Sequence, residues 1–165
     1  MPGKKHDTKL KAITGYFESG LPYLRIGSDP RILVIFEGLG FENKPASGIM
    51  LRMYVGSVKL IAQNYTVYSV GRKPGLPAGY STRDMSDDYA TMIRNEFGEP
   101  VDIMGTSTGG PIAQHFAVDH PELIRRLVLA MTGYRLTEKG RILQRRVGDL
   151  ARQGKWRMVY STLIE

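Results

Sequence analysis

VDIMGTSTGG, residues 101–110, sets a short apolar strand ahead of a run of small residues with a single serine at its centre. Gly105 and Gly109 carry no Cβ, so the chain can turn sharply there, with the strand at 101–104 and a helix at 108–119 packed close together. The turn pushes the Ser107 side chain out above the sheet. The backbone N–H of Thr108, unpaired at the first helical turn, can face an oxygen that becomes negative when a carbonyl is attacked. Two other readings compete with a nucleophile. One is a Ser/Thr helix cap in a tight turn. The other is a phosphate cradle, but G-x-G-x-x-G starting at Gly105 would need glycine where Ser107 stands, and the Gly-Lys-Ser/Thr ending of a P-loop is missing.

Outward from this turn, strand and helix signals alternate. YFESGLPYLRIG (16–27) predicts two short strands around Gly20, Leu21 and Pro22. RILVIF (31–36) is a continuous apolar run, as in a strand buried on both faces. SGIMLRMYVGSVKLIAQ (47–63) reads as a helix capped by Ser47, YTVYSVG (65–71) as a strand, and GRKPGLPAGYST (71–82) as a loop. In DMSDDYATMIRNEF (84–97), Met85, Tyr89, Met92, Ile93 and Phe97 share one helix face, and Asp84, Asp87 and Asp88 sit early, where the helix dipole favours anions. IRRLVLAM (124–131) is a further strand. The alternation implies an α/β fold, a doubly wound and mostly parallel sheet with functional groups at the carboxyl ends of its strands.

Composition narrows the class. The chain has 165 residues, 42% hydrophobic and 24% charged, enough for one globular domain with its own core. It contains no cysteine, which excludes a disulfide framework, thiolate metal sites and a cysteine nucleophile, and fits a cytoplasmic location. The basic N-terminus lacks the apolar run of a secretory signal, and no stretch reaches the roughly 18 apolar residues of a membrane span. The net charge of +7 comes from 23 Lys and Arg spread from Lys4 to Arg157, not from one stripe, so nucleic acid is not an expected partner. The densest cluster, GRILQRRVGDLARQGKWR (140–157), reads as a helix with a solvated basic face; contact with anionic lipid, substrate or nucleic acid is the lesser alternative.

From about Tyr16 to its end the chain resembles the α/β-hydrolase superfamily, on the G-T-S-T-G of 105–109 between strand and helix and on FEGLGF (36–41) after the third strand. The resemblance implies a serine hydrolase acting on esters, lactones or related acyl compounds through an acyl-enzyme at Ser107. Thr108 and Leu39 would supply the oxyanion-hole N–H groups, the substrate would be a small acyl compound, and neither cofactor nor metal is implied. Glu37 departs from the histidine that the family often carries at this point. Relatives that open epoxides or remove halogen use an aspartate nucleophile, which Ser107 counts against, whereas carbon–carbon bond hydrolases and cofactor-free peroxidases share the serine.

The family's triad acid and histidine follow later strands than this chain contains. The alternative acid position, after strand six, reads AMTGY (130–134), with no carboxylate before Glu138. Of the three histidines, His115 stands eight residues past Ser107, about 12 Å along a helix at about 1.5 Å per residue. His120 is farther still and His6 lies in the basic terminus. The expected organisation is a basic tail (1–13), the N-terminal part of the hydrolase core (14–134) and the start of a helical cap (135–165). Tyr134, Trp156 and Met158 are expected to pack in the core or cap; lining a pocket is the lesser alternative. The strand at 124–131 would be an open edge inviting self-association. A non-catalytic relative that binds a ligand or partner in the same cleft is the other reading.

Overall fold

The computed structural model describes residues 11–40 and 42–164. His6 and most of the basic tail lie outside the described residues. The chain divides into two compact units, Met1–Thr132 and Gly133–Glu165.

The first unit is a six-stranded sheet in the order β1-β2-β4-β3-β5-β6, from β1 (Ala12–Tyr16), β2 (Pro22–Ile26), β3 (Ile32–Phe36), β4 (Thr66–Val70), β5 (Val101–Thr106) and β6 (Ile124–Ala130). β1, β2 and β4 pair antiparallel, whereas β4, β3, β5 and β6 are parallel. Three helices connect the parallel strands: α1 (Gly48–Val58), α2 (Thr82–Glu96) and α3 (Gly109–Asp119).

β3 shows why its apolar run is unbroken. Successive side chains point to opposite faces of a strand. Val34 and Phe36 therefore join Tyr89, Met92 and Ile93 of α2 and Ile112 and Phe116 of α3 in one core. Leu33 and Ile35 join Leu24, Ile26, Val67, Val58 and Ala62 in a second core beside α1. With both faces covered, every position from Leu33 to Phe36 must be apolar.

The strands and helices lie close to their predicted positions, with three differences. β1 begins at Ala12, so the leading hairpin takes in residues assigned to the tail. The helix expected over 47–63 ends at Val58, and a 3-10 turn, Ile61–Gln63, follows it. Ser47 is extended at the helix start but its side chain makes no capping hydrogen bond. α2 has the stronger cap: Ser81 accepts from the Asp84 N–H and Asp84 accepts from the Ser81 N–H, a capping box that begins the helix at Thr82.

In the second unit Thr137 caps α4 (Glu138–Arg152) by accepting from the Gly140 N–H, and α5 (Trp156–Ile164) packs on it. Val147, Leu150 and Val159 are buried, and the basic face of α4 is exposed. Tyr134, Trp156 and Met158, expected to pack, are exposed among the described residues. No helix of the described residues is long and apolar enough to cross a membrane.

Candidate active site

β3 and β5 run side by side with Phe36 opposite Gly105, so the loops leaving their carboxyl ends are neighbours. The chain turns at Ser107, whose φ of +48° lies in the left-handed region that non-glycine residues rarely adopt. Thr108 returns to helical geometry as the N-cap of α3. Two backbone hydrogen bonds hold the turn: the Ser107 N–H donates to the Ala130 carbonyl and the Gly110 N–H to the Ser107 carbonyl, both at 3.0 Å. The Thr106 hydroxyl donates to the Phe36 carbonyl at 3.2 Å, tying β5 to β3 just below the turn.

The glycines around the serine are required by close approach. A Cβ on Gly105 would fall 2.6 Å from the Ala113 Cβ, and one on Gly109 would overlap the Phe36 and Glu37 carbonyl oxygens. Strand, loop and helix thus meet at backbone distance, and the serine side chain is left exposed to solvent. Gly38 lies across from it, close enough that a Cβ there would be 3.3 Å from the Ser107 Cβ. Leu39 follows, 47% exposed. Ser107, Thr108 and the Gly38–Leu39 peptide are therefore gathered at one end of the sheet.

A side chain that the sequence reading did not single out also reaches this cluster. Arg72, in the loop after β4, donates to the Gly38 carbonyl and, at 2.9 Å, to the Thr108 hydroxyl. Behind it the Glu37 carboxylate accepts from the Ser69 hydroxyl at 2.7 Å. Burial holds the Glu37 carboxyl above its ordinary range, against the opposing pull of the Ser69 hydrogen bond and the Arg72 charge. The Tyr89 hydroxyl donates to the carbonyls of Val70 and Gly71, at 2.9 and 3.0 Å, and so anchors the root of the Arg72 loop.

The structure does not bring a described histidine to Ser107. His120 is the C-cap residue of α3, at the end away from the serine, within 2.7 Å of the Asp87 carboxylate and packed edge-on against Phe116. His115 lies on α3 two turns beyond Ser107. A second polar cluster, Asp102 with Tyr65 and Arg125, belongs to the amino-end half of β5. The hydrogen bond from Arg125, helped by that from Tyr65, holds the Asp102 carboxyl below the usual carboxylate range despite its burial. It ties β5 to β6 and stands off from the serine turn. No cluster of three or more histidine or carboxylate side chains that could hold a metal occurs among the described residues.

Comparison with known proteins identifies the fold. Residues 59–153 match the α/β hydrolase fold family. The chain is 37% identical over 115 residues to a pimeloyl-acyl-carrier-protein methyl ester esterase of Chromobacterium violaceum, an alignment covering 67% of this chain and 40% of the esterase. Among solved structures it is similar to a hydrolase from Pseudomonas aeruginosa PA01, with a TM-score of 0.64, 20% identity, and coverage of 87% of this chain and 53% of that one. It is also similar to MGS-M2, an α/β hydrolase from a Medee basin deep-sea metagenome library, with a TM-score of 0.71, 17% identity, and coverage of 87% and 52%. The chain spans about half the length of these structures and less than half of the esterase. The strand–serine–helix turn, the order of strands around it and the match over more than half of its residues together make this chain a member of the α/β hydrolase family.

Proposed function

We propose that Ser107 is the nucleophile of a serine hydrolase that acts on small esters, lactones or related acyl compounds. The hydroxyl would attack the acyl carbonyl, form an acyl-enzyme and release the leaving group, and water would then free the acid. The N–H groups of Leu39 and Thr108 would receive the negative charge that develops on the carbonyl oxygen. The observation that carries this reading is the left-handed backbone at Ser107, which exposes the hydroxyl where two loops meet. A helix cap needs no such conformation: Ser81 and Thr137 cap α2 and α4 from extended backbone. The esterase relative supports carbonyl–oxygen cleavage as the reaction class.

The serine needs a base, and among the described residues neither His115 nor His120 is placed to act as one. On this reading 135–165 is the start of a helical cap. The same placement of the histidines favours a second reading, a cleft that binds an acyl ligand without turning it over.

A fluorophosphonate probe separates the two. Labelling of the chain that disappears in Ser107→Ala supports the hydrolase. Absence of labelling even in a longer form of the chain that carries a histidine base supports the binding protein.

A further inference from the structure

The guanidinium of Arg72 spans the loop after β3 and the turn at Ser107. One Nη donates to the Gly38 carbonyl and the other to the Thr108 hydroxyl. These residues are 34 and 36 positions away in the chain, Thr108 following Ser107 directly and Gly38 lying close to its side chain. From this geometry we infer that Arg72 is a positioning residue, which sets the two oxyanion donors relative to each other; the inference rests on the hydrolase reading above.

The physics follows from the peptide unit. The Gly38 carbonyl and the Leu39 N–H belong to one peptide, and the chain has no cis peptide bond among the described residues. In a trans peptide the oxygen and the hydrogen point to opposite sides. Holding the oxygen on Arg72 therefore aims the Leu39 N–H away from the guanidinium. A cationic donor on the oxygen also polarises the amide, which strengthens its N–H as a donor. The second arm fixes Thr108, the residue whose own N–H is the other donor. Because a guanidinium is planar and rigid, its two arms hold a set spacing that a lysine ammonium cannot reproduce.

Two features favour this role over that of a simple counter-ion. Glu37, whose carboxyl feels the Arg72 charge, is hydrogen-bonded to Ser69 instead of Arg72. The Arg72 loop is also fixed at its root, by Tyr89 on one side and by the Gly71 N–H donating to the Pro22 carbonyl at 2.9 Å on the other. The arm is thus braced from the sheet outward.

The test has two readouts on the full chain. In amide proton–nitrogen spectra, Arg72→Met is expected to shift both the Leu39 and Thr108 resonances, with Arg72→Lys restoring at most one of them. Movement of only one, or of neither, in Arg72→Met overturns the inference. In fluorophosphonate labelling of Ser107, Arg72→Ala is expected to lower the rate at saturating probe by roughly 10- to 100-fold, below the loss of an entire oxyanion donor. The half-saturating concentration should stay nearly constant. Added guanidinium should restore the rate and ammonium should not, a rescue that a general loss of folding would not give. Labelling at the unaltered rate also overturns the inference. If the unaltered chain fails to label for want of a base, the amide shifts alone decide whether Arg72 couples the loops, and the hydrolase reading is judged on a longer form that carries a histidine.

Discussion

At Ser107 local strain and proposed chemistry occupy the same residue. A left-handed conformation costs a non-glycine residue on the order of 1–3 kcal/mol. Glycine adopts it freely but loses about 0.5–1 kcal/mol in chain entropy. Ser107→Gly should therefore be more stable than Ser107→Ala by roughly 1 kcal/mol, since alanine keeps the strain. Denaturant midpoints of the two variants measure the difference, and equal midpoints would show that the turn is relaxed. The serine was legible in the sequence because its requirements are local: Gly105 and Gly109 flank it at fixed spacing. Arg72 was not, because nothing in GRKPG shows that its partners are Gly38 and Thr108, which only the sheet order brings near.

Between elements, the carboxyl ends of β3 and β4 are joined by a polar contact in an otherwise apolar layer. The pairing sets Ile35 beside Ser69, and the Ser69 hydroxyl donates across to Glu37 just beyond β3. Burial raises the folded-state pKa of Glu37 above its unfolded value. The folded chain then binds more protons than the unfolded one between those two values, so stability falls as pH rises through that window. Above it the cost is fully present; below an unfolded carboxylate pKa of about 4.3 it vanishes. Glu37→Gln keeps an acceptor for Ser69 and removes the buried charge. It should therefore be more stable than the unaltered chain at neutral pH, with the advantage shrinking toward pH 4. Unfolding curves across pH test this, and an advantage that grows on acidification would contradict the sign. Element positions were legible wherever one face or both had to be apolar, as in β3 and α2. The end of α1 was not, because apolar residues continue through the 3-10 turn, Ile61–Gln63, and hydrophobic spacing cannot distinguish a helix from the tighter turn that follows it.

For the whole molecule the decisive contrast is between an inner strand and an edge strand. β3 lies inside the sheet and is buried from Leu33 to Phe36, whereas β6 pairs only with β5 among the described strands. In β6, Val128 remains 51% exposed and Leu129 44%, and as consecutive residues they point to opposite faces. Part of each face of the strand stays exposed beside an unpaired outer edge, the arrangement that promotes strand pairing between molecules. Against this stands the net charge of +7, which makes copies repel one another. Apolar and backbone association should win at micromolar concentration and strengthen with added salt, because salt screens the repulsion and leaves burial intact. Sedimentation velocity should therefore show a sedimentation coefficient that rises with protein concentration and rises further at high salt. Replacing Val128 and Leu129 together by lysine adds charge to both faces of the edge and should return the chain to a monomer. Association that weakens with salt would mean the basic surface drives it, and a compact monomer at every concentration would mean that the outer edge of β6 is not an adhesive surface at all.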